Sequence, residues 1–346
     1  MLGSLFDFPV LIREHRALYV LPPDMTEKNS SEGAIMDVSW DFGNPRAYMQ
    51  HVTEGMPPVI ISCATTGEYR KSDHPGVPVT AEEQAAEAAA LFKAGARIIH
   101  IHGREADDPN KTSNDPKRYL QINEMIREKA PAILVDNTQT IAEVSLEPHE
   151  ILGRVFYYRS APVEARPDLM ALNPGPMTFR GSAEWPSGVF LTTFDETERT
   201  AHALREAGIK PQVFLYHPGH LDMLEYLISR DALDRPYFLQ LVFGQQGGIN
   251  PSPESVLFML RNLPEGCIFQ TCALGLFEIN VNVMALLTGG HVRTGMEDSL
   301  LYQRNEPVVS NVQLVERIVR IANDIGRRVA TPEEVRQMLG LPRLRL

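Results

Sequence analysis

Residues 80–103 read TAEEQAAEAAALFKAGARIIHIHG and contain one complete predicted helix followed by one predicted strand. Thr80 and Glu83 have the spacing of a capping box and Gly95 stands where a helix would stop, so the sequence predicts a helix between them. The run ARIIHIHG that follows is short, apolar and β-branched, which predicts a strand covered on both faces. A helix followed at once by such a strand is the repeating unit of an α/β protein with a parallel sheet.

The same alternation continues from residue 58 onward, where longer amphipathic stretches separate short apolar runs. These runs are VIISCA from Val59, ARIIHIHG from Ala96, AILVDN from Ala132, LMALNP from Leu169, QVFLYH from Gln212, YFLQLVFG from Tyr237, CIFQTCA from Cys267 and GHVRTG from Gly290. Eight strands alternating with helices over about 270 residues predict a closed (β/α)₈ barrel, the TIM-barrel architecture, rather than an open sheet.

The chain divides into three predicted segments. Residues 1–55 mix apolar pieces with the turn-rich run PPDMTEKNSSEG, so we expect an N-terminal extension that lies on the domain surface or contacts a neighbouring subunit. A flexible tail is the alternative. Residues 56–328 are the barrel, and residues 329–346, with TPEEVRQMLGL, are a C-terminal helical appendage. Tyr157–Tyr158 lies in a stretch that reads as irregular, where the aromatic rings are expected to serve packing.

Composition narrows the classes of protein that the chain can belong to. The 346 residues are 43% hydrophobic, and 33 Lys plus Arg against 44 Asp plus Glu give a net charge of −11. A disordered polymer is excluded, as is a protein that tracks nucleic-acid phosphates, because no Lys/Arg-rich run exists. No apolar run reaches the ~18 residues of a membrane helix. The three cysteines, expected on buried strands, cannot form a disulfide framework, and no secretory signal is visible, so we expect a cytoplasmic protein: Cys63, Cys267 and Cys272.

The sharpest local signal is the pair His100 and His102 at the end of the ARIIHIHG strand. Side chains alternate along a strand, so residues at i and i+2 share one face. If that face is the barrel interior, both imidazoles point into the strand end where barrel active sites form. Imidazole is the commonest metal ligand, and two of them with a third partner hold a divalent ion. The alternative is a pair of polar residues hydrogen-bonded within the barrel mouth.

A second constellation, Arg293-Thr294-Gly295-Met296-Glu297-Asp298, follows the last predicted strand. The first and eighth strands of a barrel are neighbours, and the second strand lies one further along. Glu297 is therefore predicted as the third metal ligand, which leaves Asp298 for proton transfer and Arg293 to orient the acid. Two histidines and one carboxylate with open positions describe a catalytic metal site. A solvated acidic loop is the alternative reading of these residues.

Polar residues after the other predicted strands are weaker candidates, because a capped helix start or a surface turn explains the same letters. The candidates for substrate binding are Asn137, Thr138, Asn173, Thr178 and His217. Gly247–Gly248, in the run FGQQGG, suggests a loop that binds the phosphates of a cofactor. The run matches neither the dinucleotide fingerprint nor the P-loop.

Taken together, these motifs resemble those of one known family. They are TGE after the first strand, PVTAEEQAAEAAALFKAGARIIHIHGRE, ALNPG, FGQQGG, TGGHVRTGMED, SNVQLVERIVRIANDIGR and ATPEEVRQML. The combination runs from about Pro58 to Leu341 and resembles the β-keto acid cleavage enzymes, whose best-known type acts on 3-keto-5-aminohexanoate. The HxH strand together with the RxGxED segment is the specific part of the resemblance.

The resemblance implies a (β/α)₈ barrel that binds a divalent metal ion, usually Zn²⁺, and uses acetyl-CoA as co-substrate. A β-keto acid and acetyl-CoA would condense, and a retro-Claisen cleavage would give acetoacetate and the CoA thioester of the remaining acyl fragment. It also implies a homo-oligomer, a tetramer. The family's metal ligands, catalytic aspartate, paired arginine and first-loop glutamate fall in turn on His100, His102, Glu297, Asp298, Arg293 and Glu68.

Three departures from the family pattern concern the substrate. The family often has Ser-Thr-Gly after the third strand where this chain has Asn137-Thr138-Gln139, and Asn-Ala-Gly-Thr after the fourth where it has Asn173-Pro174-Gly175-Pro176. After the fifth strand the enzyme for the amino-bearing substrate has an acid, and the matching residue here is His217. We therefore expect a β-keto acid whose distal end is neutral, polar or anionic.

Two other functions are open from the sequence. One is a metal-dependent barrel aldolase or hydrolase that acts on a keto acid without CoA. The other is a non-catalytic barrel, which predicts that a metal ligand or the base is missing. The presence of His100, His102, Glu297 and Asp298 together argues against the non-catalytic reading.

Overall fold

Eight parallel strands close into a barrel, which confirms the fold predicted from the sequence. The computed structural model describes residues 42–139, 148–179 and 188–343. The described strands are β1 (Ile61–Ala64), β2 (Ile98–Ile101), β3 (Leu134–Asn137), β4 (Leu169–Leu172), β5 (Met177–Phe179), β6 (Gly188–Phe190), β7 (Lys210–Leu215), β8 (Tyr237–Phe243), β9 (Cys267–Ala273), β10 (His291–Thr294), β11 (Leu301–Gln303) and β12 (Glu306–Pro307). The barrel order is β1-β2-β3-β4-β7-β8-β9-β10, and β10 pairs with β1 to close it.

Helices cover the outside of the barrel and follow the predicted capping signals. Those in the described residues are α1 (Pro45–Glu54), α2 (Ala81–Ala94), α3 (Pro116–Lys129), α4 (Pro148–Ser160), α5 (Phe194–Glu206), α6 (Gly219–Ser229), α7 (Pro253–Arg261), α8 (Glu278–Leu287), α9 (Asn311–Asp324) and α10 (Pro332–Met338). Thr80 Oγ1 accepts from the Glu83 amide, and the Glu83 carboxylate accepts from the Thr80 amide, which forms the capping box at the start of α2.

Two of the helices that follow barrel strands, α4 and α8, were not predicted from the sequence. The stretch read as irregular around Tyr157–Tyr158 is part of α4, where Tyr158 is buried and Tyr157 is partly exposed. Its β-branched and aromatic residues have modest helix propensity, so tertiary packing decides its conformation. In α8, Glu278 and Asn282 lie on the buried face, and polar residues at those positions conceal the helical period.

The predicted N-terminal extension contains one helix in its described part. Asn44 Oδ1 accepts from the amides of Arg46 and Ala47, and Pro45 supplies the first helical residue, so α1 begins here despite the lack of a strong period. Residues 1–41 of the extension lie outside the described residues. Two unpredicted hairpins, β5–β6 and β11–β12, follow the barrel strands β4 and β10.

Layers of side chains fill the barrel interior below the carboxyl ends of the strands. At the amino end an apolar layer packs against α10: Ile60, Ile98, Leu134, Leu169, Phe238 and Ile268 meet Val335, Met338 and Leu339. Above it, Ser62 Oγ donates to Gln270 Oε1 at 2.7 Å and Gln270 Nε2 donates to Gln240 Oε1 at 2.6 Å. These hydrogen bonds satisfy side chains that would be costly to bury alone. The residues nearest the carboxyl ends of the strands then form the site described below.

The cysteines lie on strands, as predicted, and all three are free thiols. Cys63 on β1 and Cys272 on β9 are buried, whereas Cys267 at the start of β9 is partly exposed. Within the described part of the chain, no helix is both long enough and apolar enough to cross a membrane.

A buried histidine at the base of β10 predicts acid-sensitive stability. His291 Nδ1 accepts from the Ile60 amide at 3.0 Å, and burial together with the nearby Arg327 lowers the pKa of His291 from 6.5 to about 3. Because the unfolded chain then binds the proton first, the free energy of unfolding should fall by about 1 kcal/mol per pH unit as pH drops from about 6.5 toward 4. Urea unfolding at several pH values measures this slope.

The His291→Asn variant should lose that part of the slope, because the amide oxygen can accept the Ile60 hydrogen bond and does not titrate. His202→Asn, at a partly exposed position of α5, is the matched control and should keep the parent slope. Equal slopes in the parent and the His291→Asn variant would show that His291 is not protonated on acid unfolding.

Candidate functional site

The two histidines of β2 face one carboxylate across the barrel mouth. His100 Nε2 lies 3.7 Å from Glu297 Oε1, and His102 Nε2 lies 3.5 Å from Glu297 Oε2. One nitrogen from each ring and one carboxylate oxygen all lie within 4.8 Å of one another. His100 and His102 are buried, and Glu297 is only slightly exposed. The structure thus brings together the three residues that the sequence predicts as metal ligands.

The outer nitrogen of each histidine is held by a second carboxylate. His100 Nδ1 donates to Asp136 Oδ2 at 2.7 Å, and His102 Nδ1 donates to Glu68 Oε1 at 3.2 Å. Asp136 lies on β3 directly opposite His100 in the strand register. A neutral imidazole has a single N–H, so a ring that donates from Nδ1 keeps a lone pair on Nε2. Both lone pairs are then directed at the space beside Glu297.

This donor set fits a divalent cation. Glu297 Oε2 is buried and has no hydrogen-bond partner among the described residues, so an acceptor is left for a ligand. Burial alone would lower the pKa of His102, but the carboxylates of Glu297 and Glu68 outweigh it and raise that pKa to about 9. The cluster therefore favours positive charge at its centre. Two imidazole nitrogens with one carboxylate oxygen match a catalytic zinc site, which keeps a coordination position open.

Arg293 of β10 joins the cluster to the predicted base. Its Nε and Nη2 donate to the two oxygens of Asp298, each at 2.9 Å, and Nη2 also donates to Glu297 Oε1 at 2.6 Å. Burial raises the pKa of the Asp298 carboxyl, and Arg293 opposes that rise. The side chain is thus a stronger base than an exposed aspartate, while the bidentate contact fixes its direction. Phe214 lies beneath Arg293, with the guanidinium carbon 5.8 Å from the ring centre.

The turn that carries Glu297 and Asp298 is held tightly against β1. Gly295 has a φ of +144°, and a Cβ there would lie 2.0 Å from the Ala64 carbonyl oxygen, so only glycine fits. The Glu297 amide donates to the same carbonyl at 3.2 Å. The Met296 amide donates to Asn311 Oδ1 at 2.8 Å. Strand β1 and helix α9 together therefore set the position of the turn.

The structure does not bring Asn137 together with the histidines. Its neighbour Asp136 faces the barrel interior, so alternation along β3 turns Asn137 outward, where Nδ2 donates to the Tyr158 hydroxyl of α4 at 3.4 Å. The expectation that Asn137 contacts substrate therefore has no support from the geometry. Thr138, one residue further, is buried just beyond the end of β3.

Asn173 lies in a hydrogen-bonded group at the mouth. The Tyr216 hydroxyl donates to Asn173 Oδ1 at 3.0 Å, and the backbone N–H of Asn173 donates to Gln139 Oε1. Phe214 and Tyr216 are two residues apart on one face of the β7 end, with ring centres 6.3 Å apart, and His100 is 6.3 Å from Phe214. The Phe-x-Tyr spacing in QVFLYH is the signal that could have identified these two aromatic residues, and an acid inside AILVDN is the corresponding signal for Asp136.

The glycines of FGQQGG lie against the hairpin and β7. A Cβ on Gly247 would lie 1.8 Å from the Thr178 carbonyl oxygen, and one on Gly248 would lie 2.7 Å from the Tyr216 carbonyl oxygen. This close backbone packing accounts for both glycines, and their contact with a CoA phosphate stays a prediction. Thr178 is exposed, and His217 is half-buried before α6, with its ring centre 3.9 Å from that of His220.

The chain is similar in sequence and in fold to several known proteins. A family model described as beta-keto acid cleavage enzyme matches residues 58–341. The 3-keto-5-aminohexanoate cleavage enzyme of Fusobacterium nucleatum is 32% identical over 287 residues, covering 83% of this chain and 99% of the relative. The 3-oxoadipate:acetyl-CoA acetyltransferase of Cupriavidus necator is 29% identical over 293 residues, covering 84% and 97%. The solved binary complex of ObcA with oxaloacetate has a TM-score of 0.65 at 17% identity over 78% of this chain and 68% of that chain, a likeness of fold alone.

The barrel, the cluster at its carboxyl end and these relatives define an enzyme of the (β/α)₈-barrel class. Within that class the chain belongs to the β-keto acid cleavage enzyme family, because the family model spans most of its length. The resemblance noted from the sequence motifs is confirmed.

The predicted metal site is tested by removing its nitrogen ligands. We expect one divalent ion per chain in the parent and strong metal loss in His100→Ala and His102→Ala, because each variant leaves only two of three donors. Elemental analysis of the purified proteins measures this, and circular dichroism checks that the fold is kept. His217→Ala, a mouth histidine outside the cluster, should keep its metal. Full occupancy in both ligand variants would contradict the site.

Proposed function

We propose that this chain is a divalent-metal-dependent acyltransferase that cleaves a β-keto acid with acetyl-CoA, giving acetoacetate and an acyl-CoA. The observation that carries the proposal is one buried cluster in which Arg293 holds Asp298 beside Glu297, opposite His100 and His102. Membership of the β-keto acid cleavage enzyme family supports the substrate class. The name of the Cupriavidus necator relative supports acetyl-CoA as co-substrate.

His100, His102 and Glu297 would hold the metal ion, with Asp136 and Glu68 orienting the two rings. The ion would act as a Lewis acid toward the keto and carboxylate oxygens of the substrate and would stabilise the negative charge that deprotonation creates. We propose Zn²⁺, because two imidazole nitrogens and one carboxylate match its preferred donors.

Asp298 is proposed as the base. It removes a proton from the carbon between the keto and carboxylate groups, and that carbon then attacks the thioester carbonyl of acetyl-CoA, releasing CoA thiolate. The thiolate attacks the original keto carbon, and cleavage of the older carbon–carbon bond gives the acyl-CoA. The acetoacetate carbanion takes the proton back from Asp298, so the base is restored. Arg293 keeps the carboxylate aimed throughout, because both of its oxygens are bound.

The remaining proposals concern the protein as a whole. Three free thiols support a reducing, cytoplasmic location. We propose a homo-oligomer, a tetramer, which is supported by large exposed apolar side chains on α4, α7 and α8 and in the segment after α4: Phe156, Phe258, Leu287 and Val163. We also propose that residues 56–328 form the catalytic barrel, with residues 1–55 and 329–346 as its two appendages.

A panel of β-keto acids tests the function directly. Each acid is incubated with the metal-loaded enzyme with and without acetyl-CoA, and new CoA thioesters are identified by mass. The proposal requires acetoacetate and a new acyl-CoA only when acetyl-CoA is present. Keto acid consumption without acetyl-CoA would instead identify a barrel aldolase or hydrolase, and no consumption of any acid would favour a non-catalytic role.

Replacing the base should separate metal binding from turnover. Asp298→Asn keeps a side chain of the same shape beside Arg293, but an amide cannot accept the substrate proton. We expect full metal content and a loss of about 10²- to 10⁴-fold in kcat, the usual scale for a removed general base. Elemental analysis and steady-state kinetics measure the two effects. Turnover within a few-fold of the parent would exclude Asp298 as the base.

His217 is proposed to select the distal end of the substrate. The two relatives described above act on acids with opposite distal charges, an amine in one and a second carboxylate in the other. A histidine cannot supply a fixed negative charge, and when protonated it repels an ammonium group. We therefore propose a β-keto acid with a neutral, polar or anionic distal end. A matched series of acids that differ only at this end tests the proposal.

In that series His217→Glu should shift kcat/KM toward the amino-bearing acid by about 1 kcal/mol or more, the scale of one charge-assisted hydrogen bond. His202→Glu makes the same change of charge at a partly exposed position of α5 and should leave the preference unaltered. A parent enzyme that already prefers the amino-bearing acid would show that His217 does not face the distal group.

A further inference from the structure

Helix α8 meets the barrel through buried polar side chains. A helix that covers a barrel strand normally packs with apolar residues, as Val281, Ala285 and Leu286 of α8 do. Glu278 and Asn282 lie on the same buried face, one helical turn apart, and are 6% and 0% exposed. Burying an acid and an amide is costly unless hydrogen bonds repay the lost solvation, so the partners of these two side chains are informative.

Most of those partners belong to the segment that bears the proposed base. Asn282 Nδ2 donates to the carbonyl oxygen of Arg293 at 2.9 Å, and Asn282 Oδ1 accepts from Thr271 Oγ1 on β9 at 2.9 Å. Thr294 Oγ1 donates to Glu278 Oε1. In the turn that precedes α8, the Gly275 amide donates to the carbonyl oxygen of Asp298 at 2.8 Å. One stretch of chain thus holds three residues of the 293–298 segment.

These contacts complement the hold that β1 and α9 have on the other side of the same turn, through Ala64 and Asn311. The Arg293 guanidinium donates two hydrogen bonds to the Asp298 carboxylate. It can therefore hold that carboxylate in one direction only if the backbone of both residues is fixed. Proton transfer depends steeply on such placement, and a shift of about 1 Å can cost about 100-fold in rate. The polar face of α8 therefore contacts the segment whose placement most strongly affects the rate of proton transfer.

We propose that Gly275, Glu278 and Asn282 form a polar brace, in which Glu278 and Asn282 are positioning residues that fix Arg293 and Asp298 for proton removal. The proposal rests on the proposed function only in taking Asp298 as the base. Burial raises the pKa of Glu278 to about 8, although the Thr294 hydroxyl opposes that rise. At neutral pH the side chain is then mostly uncharged, so glutamine is its closest mimic.

The test compares variants that remove the brace with variants that preserve it. Asn282→Leu and Glu278→Leu delete the hydrogen bonds at similar volume, whereas Glu278→Gln keeps the acceptor for Thr294. Asn280→Leu makes the same replacement at an exposed position of α8 and is the matched control. Thr294→Val removes the Glu278 hydrogen bond from the other side, which keeps the test decisive if Glu278→Leu does not fold.

Two readouts are measured on each metal-loaded, folded variant. Hydrogen exchange followed by mass spectrometry should show amides 295–299 exchanging about 10-fold faster or more in the three brace-deleting variants. Steady-state kinetics should show kcat lowered about 10- to 100-fold with KM and metal content near the parent values. Glu278→Gln and Asn280→Leu should match the parent in both readouts.

A residue with a merely structural role would lower the melting temperature of its variant while leaving kcat of the folded enzyme unchanged, and that result would overturn the proposal. Equal losses in Glu278→Gln and Glu278→Leu would overturn it as well. If no variant and not even the parent turns over a β-keto acid, the proposed function fails, while the exchange rates of amides 295–299 still report whether the brace exists.

Discussion

Closure of the barrel between β10 and β1 is the constraint on which the site depends. The His100 strand β2 and the Glu297 turn after β10 both flank β1, so closing the sheet brings residues distant in the chain to one opening. Without the β10–β1 pairing, the histidines would lack their carboxylate and Asp298 would have no defined position. Gly295 makes the contact closer, because its backbone lies against Ala64 with no room for a side chain.

The electrostatics of the mouth follow from that closure. Four carboxylates converge there, from Glu68, Asp136, Glu297 and Asp298, and the guanidinium of Arg293 contacts two of them. Such a concentration of buried negative charge is unfavourable unless cations compensate it. Arg293 compensates Asp298 and part of Glu297, and the histidine lone pairs together with the second oxygen of Glu297 are left for a metal ion. A metal ion bound there, as proposed, would offset the remaining negative charge and also act on the substrate.

Much of this arrangement could be predicted from the sequence, because it depends on short periods and strand order. The period-two pattern of ARIIHIHG put His100 and His102 on one face, and the neighbour relation of the first and last strands predicted their meeting with Glu297. The same reasoning does not resolve Asn137, whose side chain lies against Tyr158 of α4, because one residue of register decides which face a side chain occupies. Asp136 lies in a polar run after the third predicted strand, and only its register with His100 shows that it hydrogen-bonds to that ring.

Helix α8 shows why the rest could not be predicted. Its inner face carries Glu278 and Asn282, so the hydrophobic period that signals a helix is broken where the side chains hydrogen-bond to the site. Hydrophobic periodicity in a sequence identifies helix faces that pack with apolar side chains. It fails where a buried face makes polar contacts instead. The substrate residues are hard to predict for a related reason, since Tyr216, Asn173 and Gln139 meet only through the loops that follow three different strands.

The central claim is that Asp298 deprotonates the keto acid and that the resulting carbon attacks acetyl-CoA. The most direct measurement uses acetyl-CoA with ¹³C at both acetyl carbons, the metal-loaded enzyme and the β-keto acid that it turns over fastest, followed by NMR of the products. The account predicts label at the two carbons of acetoacetate farthest from the carboxylate and none in the new acyl-CoA. Label at the carboxylate and its neighbouring carbon would mean that the acetyl group is the nucleophile, and unlabelled acetoacetate would mean that acetyl-CoA does not react; either result would contradict the account.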